Sequence, residues 1–571
     1  MIKNLKKIIT LCHDLKLKFI WIQFLIISYG SFQIFNLLLF KPYIDSILNN
    51  ETSIKLNFIF FNINSISFVS LTILFIASFV ITSILSVYAL KETIIFSQTI
   101  GKKLKELIYQ NNINQKYQNY IGNSSVDIQT LISIEIVRAT GQIIQPLIFI
   151  LYRLIPVMFI VIFLFTLNTQ FTILIFFLLF FLVFILILYF KIKLKNADNV
   201  IKITNHNISK NVLETFKNIK QVKIFRLEKY FYKAFKIPIK KLVYAIPTSR
   251  VVELSIKSII EIFFILSVAV LLFFRSNISL MIENISIIIT YIFAFYRILP
   301  GIQTIYASYI SVTGNIKSLN FLNYIDEEKI KKHSNFELEI NTNNNSSQIN
   351  VNLNEIKIDS IEIKNLSYKY DKIKIFENKN FKFSKSNVYL IKGESGVGKT
   401  TLMDILAGLV RPNSGDFLIN NKSISSYDYS GILKYVSSCT QKTAIFNSSI
   451  LENITFEKDI ENVNLEKLRT SLEISGLNKI IEILPNKYNE TISENGENFS
   501  GGQIQRIGIS RCLYKDFSIL ILDEPTSALD SVSEKKIFEQ IIDFYKNKEK
   551  MIFIISHSND LDKFADEIIN L

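Results

Sequence analysis

Long apolar stretches separated by lysine-rich segments dominate the first half of the chain. Each stretch holds roughly 20 residues with few charges, and about 20 apolar residues suffice for a helix to cross a bilayer. The first stretch is longer than the apolar core of a secretory signal and lacks a small-residue cleavage site. The pattern therefore predicts six membrane-spanning helices, at residues 19–40, 66–90, 143–167, 171–189, 251–274 and 285–305.

The connecting segments differ in charge. Segments 91–138 and 191–250 carry many lysines, whereas 168–170 carries no charge and 275–284 carries one arginine and one glutamate. Because lysine and arginine accumulate on the cytoplasmic side of membrane proteins, this asymmetry predicts that both chain termini are cytoplasmic. It also accounts for much of the net charge of +15, so the basic surplus does not require a nucleic-acid partner.

The two basic segments are long, and apolar residues recur among their lysines. Unstructured loops of that length are unusual. Each segment is therefore predicted to continue the membrane helices into the cytoplasm and to turn at 117–126 or 212–222. On the outer side, the loop 42–65 is predicted to form either a short amphipathic helix or a simple continuation of the second span.

A polar stretch marks a change of character after the last span. Asparagine and serine dominate 341–347, which is typical of a linker, and an alternating apolar pattern begins at Ile361. We expect a membrane domain over 1–325 with six helices and two cytoplasmic coupling regions. A linker over 326–357 and a β-rich second domain over 358–571 would follow.

The second domain contains a glycine-rich loop between an apolar strand, 388–391, and a helix, 400–410. The loop fits G-x-x-x-x-G-K-[ST], in which backbone N–H groups and the positive helix N-terminus surround phosphate oxygens. Lys399 is expected to reach the β- and γ-phosphates of ATP, and Thr400 to ligate Mg²⁺. The predicted ATP-binding residues of this loop are Gly393, Glu394, Ser395, Gly396, Val397, Gly398, Lys399, Thr400 and Thr401.

Two acids end the apolar strand 519–524. Asp523 is predicted to hold Mg²⁺, and Glu524 to polarise the attacking water as the general base. His557 follows the apolar strand 551–555, which would place its side chain near the γ-phosphate. Acids and a histidine at strand ends, downstream of a phosphate loop, point to nucleotide hydrolysis.

Further motifs support the same chemistry. Tyr370 precedes the loop and could stack on adenine, and Gln441 follows a predicted strand at 433–436 and could ligate Mg²⁺. A serine and two glycines open a predicted helix and would form a second anion site from backbone N–H groups. This motif consists of Ser500, Gly501, Gly502 and Gln503, and a later loop ends at Asp530.

In this order and at these distances, the motifs resemble those of ABC transporters. The whole chain resembles a type IV ABC exporter, in which an α-helical six-span membrane domain precedes an α/β P-loop ATPase domain. The resemblance implies a half-transporter that binds ATP and Mg²⁺ and works as a head-to-tail homodimer. The motif 500–503 of one copy would face ATP held by the Lys399 loop of the other. It also implies an inner-membrane protein with a cytoplasmic ATPase domain.

Arginines lie within or at the ends of three predicted spans: Arg153, Arg250 and Arg297. Ionisable residues in spans are costly and often functional, and guanidinium binds phosphate bidentately. They are therefore candidate contacts to an anionic cargo. The alternatives are snorkelling for Arg250 and an intramembrane ion pair for the others. Stretches 246–253 and 291–319 resemble the bacterial flippases of lipid-linked oligosaccharides.

The expected function is ATP-driven export or flipping of a lipid-linked oligosaccharide or another anionic lipid. An exporter of peptides or amphipathic drugs is the main alternative. A soluble ABC ATPase acting on ribosomes or DNA is disfavoured by the six spans, and an importer by the fusion of membrane and ATPase parts in one chain. Three cysteines without metal-site spacing predict free thiols.

Overall fold

The structure, a computed structural model, describes residues 7–8, 10, 12–49, 53–57, 62–120, 125–167, 169–273, 285–316, 318–319, 322, 357–370, 373–424, 429–493 and 496–571. At many positions in 53–65, 125–127, 169–202 and 249–273 it describes the backbone alone. The chain divides into two compact units. The first comprises Met1–Gln115 and Asn123–Asn343, and the second comprises Lys116–Gly122 and Asn344–Leu571. The predicted linker lies almost wholly outside the described residues, so the domain boundaries at 325 and 358 stay predictions.

The first unit is built mainly from long helices. A helix satisfies its backbone hydrogen bonds within one segment, which is what an apolar surrounding demands. The helices are α1 (Lys16–Asn49), α2 (Phe68–Ile113), α3 (Gln145–Leu167), α4 (Thr169–Lys217), α5 (Ile219–Ile224), α6 (Glu228–Phe273) and α7 (Ile285–Asn315). Shorter helical turns over Ser125–Thr130, Leu131–Glu135, Ile136–Ala139 and Thr140–Ile144 lead into α3.

Four helices in the described part of the chain are long and apolar enough to cross a membrane. They cover His13–Leu48, Phe68–Ile113, Ile128–Leu167 and Ser286–Asn315. The remaining predicted spans, 171–189 and 251–274, fall on α4 and α6, where many side chains lie outside the description. Helical structure is confirmed at every described position of the six stretches except 66–67, and the count of six spans stays a prediction.

The helices extend beyond the predicted spans, as the basic segments indicated. α2 runs on to Ile113, α4 runs on to Lys217, and α6 begins at Glu228. The short α5 forms the turn between α4 and α6. After α2 the chain makes a 3-10 turn over Tyr117–Tyr120, and within the second unit Gln118 Nε2 donates to the backbone oxygen of Arg411 at 3.1 Å.

The prediction for the outer loop was wrong. Instead of a helix, β1 (Ser53–Asn57) and β2 (Asn62–Ser67) form an antiparallel hairpin. In β1, Ile54 and Leu56 alternate with polar residues, and this period of two favours a strand. In β2, Ile63 and Ile66 lie three residues apart, so its strand depends on pairing with β1. Ser67 then ends the hairpin and caps α2, accepting a hydrogen bond from the Ser70 N–H at 3.3 Å.

A buried polar contact joins α1 and α2. Asn36 Nδ2 donates to Thr82 Oγ1 at 2.7 Å, and Ser78 Oγ donates to Asn36 Oδ1 at 2.5 Å. All three side chains are buried. Between apolar helices that could otherwise slide, such hydrogen bonds fix the register of one helix against the other.

The described residues of the second unit form two sheets and a set of helices. The parallel sheet has the order β11-β5-β10-β9-β8, and the antiparallel sheet has the order β4-β3-β6-β7. The strands are β3 (Ser360–Tyr370), β4 (Ile373–Ser384), β5 (Val388–Lys392), β6 (Ser414–Ile419), β7 (Lys422–Ser423), β8 (Val436–Cys439), β9 (Ile519–Asp523), β10 (Met551–Ile555) and β11 (Glu567–Asn570). The helices are α8 (Lys399–Leu406), α9 (Ile450–Thr455), α10 (Leu465–Ser475), α11 (Asn478–Ile483), α12 (Gly501–Tyr514) and α13 (Ser531–Tyr545).

The central strands are apolar at nearly every position because both faces of the parallel sheet are covered. Ile521 and Phe553 pack with the antiparallel sheet and α8 in one core. Leu520 and Ile554 point to the other face, where they pack with α12 and α13. The strands predicted at 388–391 and 551–555 are confirmed by β5 and β10.

Two other predicted elements, a strand and a helix, have different boundaries in the structure. The strand expected at 433–436 is instead a 3-10 helix, Tyr429–Tyr435, followed by β8. The extended pairing begins only at Val436, which lies opposite Ile519 of β9. The helix expected over 400–410 ends at Leu406, shortly before Gly408 takes a positive φ of 78°.

Candidate functional site

The glycine-rich loop connects the end of β5 to the start of α8. Gly398 caps α8 with φ 106°, a conformation that residues with a Cβ rarely adopt. A Cβ at this position would lie 2.5 Å from Ile375 Cγ2. Glycine is therefore required both by the backbone conformation and by the close approach of β4. The loop leaves the N-terminus of α8 open, where its first N–H groups can bind an anion.

Lys399 folds back over this loop. Its Nζ donates to the backbone oxygens of Gly393 at 2.8 Å and Glu394 at 3.1 Å. The side chain is buried, with only 9% of its surface exposed. An ammonium group held by loop carbonyls at a helix N-terminus is positioned to exchange them for phosphate oxygens, which are stronger acceptors.

The strand register brings the other predicted residues to the same edge. In the parallel sheet, Ile555 of β10 lies opposite both Asp523 of β9 and Ile391 of β5. The carboxyl ends of these strands therefore meet beside the loop, which is where ligands bind in open α/β sheets. His557 follows β10 directly, and its Nε2 lies 3.5 Å from Lys399 Nζ.

Asp523 contacts the first turn of α8. Thr400 Oγ1 donates to Asp523 Oδ2 at 3.2 Å. Burial raises the pKa of Asp523, the Thr400 hydrogen bond opposes the rise, and the nearby charge of Glu524 adds to it. A buried carboxylate whose proton is held more tightly than usual is stabilised in its charged form by a bound cation.

Glu524 is held by two side chains that follow other strands of the parallel sheet. Gln441 Nε2 donates to Glu524 Oε2 at 2.6 Å, and His557 Nε2 lies 3.3 Å from Glu524 Oε1. The Glu524 backbone has a positive φ of 46°, and its N–H donates to Ile555 O at 3.1 Å. Such backbone strain is often found at functional sites, because the surrounding structure must hold it in place.

The motif 500–503 opens α12 with a complete capping box. Ser500 Oγ accepts from the Gln503 N–H at 3.3 Å, and Gln503 Oε1 accepts from the Ser500 N–H at 2.8 Å. The two glycines lie against Ala528 and Leu529. A hollow of about 420 Å³ over this helix start is lined by the motif together with Arg506 and Asp530, among others. The structure thus presents an open helix N-terminus suited to an anion.

The remaining predicted residues are placed as follows. Tyr370 ends β3 with a side chain 42% exposed, as an adenine-stacking residue would require. Thr401 lies in the first turn of α8. Asp530 caps α13 by accepting from the Ser533 N–H at 2.9 Å, so it has a local structural role as well.

Two residues near the site were given no role from the sequence. Burial raises the pKa of Asp404 on α8 to about 6, and the charge of Asp523 adds to the rise. Gln505 lies buried on α12 and hydrogen-bonds to Ser527 and Ala528. Asp404 lies outside the sequence motifs, whereas Gln505 lies in the same run, 499–506, as the motif 500–503.

In the first unit, Arg297 is surrounded by aromatic and amide groups. Its Nη1 donates to Gln33 Oε1 at 3.3 Å, and its Cζ lies 4.0 Å from the centre of the Phe79 ring. Gln33 in turn donates to Tyr29 Oη at 2.8 Å. Arg297 Nη2 is buried without a hydrogen-bond partner among the described residues.

Arg153 resembles Arg297 in having a buried nitrogen without a hydrogen-bond partner among the described residues. Its Nε is buried without a hydrogen-bond partner in the described part of the chain, and its Cζ lies 4.9 Å from the Tyr152 ring. Tyr152 stacks on Tyr29 with ring centres 5.8 Å apart. A chain of contacts thus joins Arg153 to Arg297 across α3, α1 and α7. The side chain of Arg250 lies outside the description.

Family models match both units. Residues 19–299 match the ABC transporter transmembrane region, and residues 376–527 match the ABC transporter family. The matches together take in more than half of the chain. The structure is also similar to that of a bacterial Atm1-family ABC exporter with ATP bound, with a TM-score of 0.70 and 16% identity over 98% of this chain and 93% of that one.

Curated relatives include proteins with different described cargoes. The ATP-dependent lipid A-core flippase of Desulfotalea psychrophila is 34% identical over 211 residues, covering 37% of this chain and 36% of that protein. The lacticin-481/lactococcin-DR transport/processing ATP-binding protein lcnDR3 of Lactococcus lactis is 28% identical over 307 residues, covering 53% and 38%. A probable ABC transporter ATP-binding/permease protein of Haemophilus influenzae is 30% identical over 214 residues, covering 38% of each chain.

The alignments span between 36% and 38% of the length of these three relatives. The family models account for both halves of the chain in the order that the sequence motifs predicted. The geometry of the phosphate loop, the strand-end acids and the motif 500–503 agrees with the same assignment. The chain therefore belongs to the ABC transporters, with a transmembrane region fused to an ATPase domain.

Proposed function

We propose that the protein hydrolyses ATP and uses the energy to export a substrate across a membrane. The observation that carries this proposal is the convergence of Lys399, Asp523 and Glu524 at the carboxyl edge of one parallel sheet. A phosphate-binding cation, a metal-binding acid and a general base at one edge are what nucleotide hydrolysis requires. The fusion to long apolar helices supports coupling of this reaction to transport.

The phosphate loop binds the nucleotide. Backbone N–H groups of 393–400 and the N-terminus of α8 surround the β- and γ-phosphates. Lys399 exchanges the carbonyls of Gly393 and Glu394 for phosphate oxygens. Tyr370, exposed at the end of β3, stacks on adenine.

Mg²⁺, when bound, would supply positive charge that offsets the charge developing on the phosphates during transfer. The residues present fit this ion, because it prefers hard oxygen ligands and retains several waters. Thr400 Oγ1 and Asp523 Oδ2, 3.2 Å apart, are the proposed ligands. Gln441 donates to Glu524 through Nε2, which leaves its Oε1 available as a third.

Glu524 acts as the general base. As a water oxygen forms its bond to the γ-phosphorus, the bond to the leaving oxygen of ADP breaks and a proton passes from water to Glu524. Gln441 and His557 hold the two carboxylate oxygens, which orients the base before the reaction. Such pre-positioning matters because the transition state offers the protein little covalent chemistry to perform.

The complete site requires two copies of the chain. The motif 500–503 presents the N–H groups of Gly501 and Gly502, which the capping box does not use, at the start of α12, next to a hollow of about 420 Å³. We propose that this surface closes on the γ-phosphate of ATP bound by a second copy. A homodimer would then contain two equivalent sites, since the chain carries every motif.

The proposed cargo is a lipid-linked oligosaccharide or another anionic lipid. Arg153 and Arg297 support this, because each has a buried N–H group without a partner among the described residues. A phosphate or pyrophosphate group could satisfy both. Similarity to a lipid A-core flippase favours the same class. Similarity to a lacticin transport protein keeps peptide export as the alternative.

Replacing Arg153 or Arg297 with glutamine is expected to reduce lipid transport per ATP hydrolysed about tenfold, since one charge-assisted hydrogen bond contributes roughly 1.5–3 kcal/mol. The measurement is flipping of a fluorescent lipid-linked oligosaccharide in proteoliposomes, beside uptake of an amphipathic peptide. Arg469→Gln, which removes an exposed arginine paired with Glu473 at 2.9 Å, is the matched control. Unchanged lipid transport in both variants, or transport of the peptide alone, would refute the anionic cargo.

The protein is proposed to reside in an inner membrane, with the ATPase domain and both termini in the cytoplasm. The lysine-rich segments support this orientation. Protease accessibility of the ATPase domain in inside-out vesicles tests it, and protection there would contradict it.

A further inference from the structure

Two buried cysteines lie side by side between β8 and α12. Cys439 ends β8 and Cys512 lies near the end of α12, and they are 3% and 5% exposed. Both side chains pack in the core on one face of the parallel sheet. Ser437 Oγ donates to the backbone oxygen of Cys512 at 2.7 Å. Because alternate residues of a strand share a face, Cys439 points to the same part of α12 as Ser437.

The two thiols are close enough to affect each other's ionisation. The contact with Cys439 lowers the pKa of Cys512, while burial opposes the change. The positive charges of Arg511 and Lys515 lower the same pKa further. Because the thiolate is the form of cysteine that attacks oxidants, Cys512 is the more reactive member of the pair. Cys439 stands next to it, where a second thiol can react with the first product of oxidation.

The segment that follows β8 contacts α12 at both of its ends. Cys439 makes the first contact, and at the other end Arg511 Nη1 donates to the backbone oxygen of Ala444 at 2.7 Å. Gln441 lies between these two points, and its Nε2 donates to Glu524 Oε2 at 2.6 Å. Only one residue separates Cys439 from Gln441. A movement of Cys439 towards α12 therefore displaces Gln441 from the carboxylate that it holds.

We propose that Cys439 and Cys512 form a redox-modification site, at which a peroxide produces a disulfide that stops ATP hydrolysis by displacing Gln441. A covalent bond brings two sulfurs closer than any unbonded contact allows, so its formation draws the end of β8 against α12. The inference rests on the proposed function, in which Gln441 orients the general base. Reduction of the disulfide restores the original contact and with it the reaction.

The reaction transfers two electrons from the thiols to the peroxide. The Cys512 thiolate attacks one oxygen of hydrogen peroxide, the O–O bond breaks, and the departing hydroxide takes up the proton that Cys512 released. The Cys439 sulfur then attacks the sulfur of the sulfenic acid on Cys512. The S–S bond forms as the S–O bond breaks, and the hydroxide leaves with the Cys439 proton as a second water. Hydrogen peroxide is scarcely larger than water, so it reaches buried thiols that bulkier reagents do not.

The test treats the reduced full-length protein with hydrogen peroxide and removes the excess with catalase. Free thiols are counted with a maleimide after denaturation, and unreduced tryptic peptides are identified by mass spectrometry. The kcat for ATP hydrolysis and the affinity for a fluorescent ATP analogue are measured before oxidation, after it, and after addition of dithiothreitol. Cys439→Ala and Cys512→Ala each lack one member of the pair. Cys12→Ala, which removes the third buried cysteine, is the matched control.

In the unmutated protein and in Cys12→Ala, we expect oxidation to consume two thiols and to join the peptides of Cys439 and Cys512. The kcat should fall at least about tenfold, because misplacing a catalytic group by about 1 Å can cost about 100-fold. ATP affinity should change by less than about twofold, since the loop 393–400 is untouched, and dithiothreitol should restore kcat. Hydrolysis by the two single variants should resist oxidation, and dimedone should label the Cys512 sulfenic acid in Cys439→Ala.

Retention of all three thiols in the oxidised, unmutated protein would overturn the proposal, as would a disulfide that leaves kcat unchanged. An equal loss of kcat in Cys439→Ala and Cys512→Ala would also overturn it, since the damage would then lie elsewhere. If neither variant folds, the peptide map of the unmutated protein and the reversal by dithiothreitol decide the question. Absent hydrolysis in the reduced protein would instead contradict the proposed function, and the peptide map would still decide whether the disulfide forms.

Discussion

Replacing Glu524 with glutamine is expected to lower steady-state ATP hydrolysis at least about 100-fold, because a general base contributes roughly 10²–10⁴ to the rate. The amide has the same shape as the carboxylate but cannot accept the proton of the attacking water. The loop 393–400 and Thr400 are unaffected, so ATP should still bind. ATP-bound dimers should therefore accumulate, which phosphate release and size-exclusion chromatography would detect together.

Glu473→Gln is the appropriate control for this experiment. It removes an exposed carboxylate that pairs with Arg469 on the surface of the same unit. We expect its hydrolysis to match that of the unmutated protein. If the Glu524 variant kept more than about a tenth of the rate, Glu524 would not be the base, since that is a far smaller loss than a base normally causes.

Replacing Lys399 with alanine is expected to weaken ATP binding about 10- to 100-fold, because a charge-assisted hydrogen bond contributes roughly 1.5–3 kcal/mol. The loop also loses the donor that spans the carbonyls of Gly393 and Glu394. Both effects weaken the complex with ATP before hydrolysis, so the Lys399 variant should lose ATP affinity. The Glu524 variant should instead bind ATP and lose the hydrolysis step. Titration with a fluorescent ATP analogue measures the difference.

The control is Lys422→Ala, which removes an exposed lysine on β7. It should bind ATP as the unmutated protein does. An affinity of Lys399→Ala within about threefold of the control would contradict the role given to Lys399, since a lost phosphate contact of this kind costs more.

The candidate catalytic site was largely predictable because its parts are local. A phosphate loop needs glycines at fixed spacing, and a buried parallel strand needs a continuous apolar run, so β5, β9 and β10 could be located from sequence to within about a residue. Their parallel pairing then brings Asp523, Glu524 and His557 to one edge. The sequence pattern and the structure agree here because local structure requires each residue type: the loop conformation requires the glycines, and the buried strands require the apolar residues.

The predictions that the structure contradicts, at the hairpin and at residues 433–436, failed for a common reason. In the hairpin β1–β2, only β1 alternates apolar and polar residues, and the pairing of the two strands is what separates the hairpin from an amphipathic helix. Residues 433–436 read as a strand by composition, yet pairing with β9 begins only at Val436. Long-range pairing decides both cases, and a single sequence does not reveal it.

Gln505 and the arginines of the first unit illustrate a second limit. The structural role of the buried Gln505 depends on its hydrogen bonds to Ser527 and Ala528, which lie more than twenty residues away along the chain. The sequence singled out Arg153 and Arg297 by charge, but only the structure reveals their unpartnered N–H groups and the tyrosine and glutamine contacts that connect them.

The central claim is that the loop 393–400 of one copy and the motif 500–503 of another enclose the same ATP. Ser395 and Ser500 are exposed, and the three natural cysteines are buried, so Ser395→Cys and Ser500→Cys introduce accessible thiols. Both changes are made in the Glu524→Gln chain, and mild oxidation is followed by non-reducing electrophoresis. The account predicts a disulfide-linked species of twice the chain mass that forms with ATP and not without it. Failure of ATP to produce that species in protein that binds ATP would contradict it.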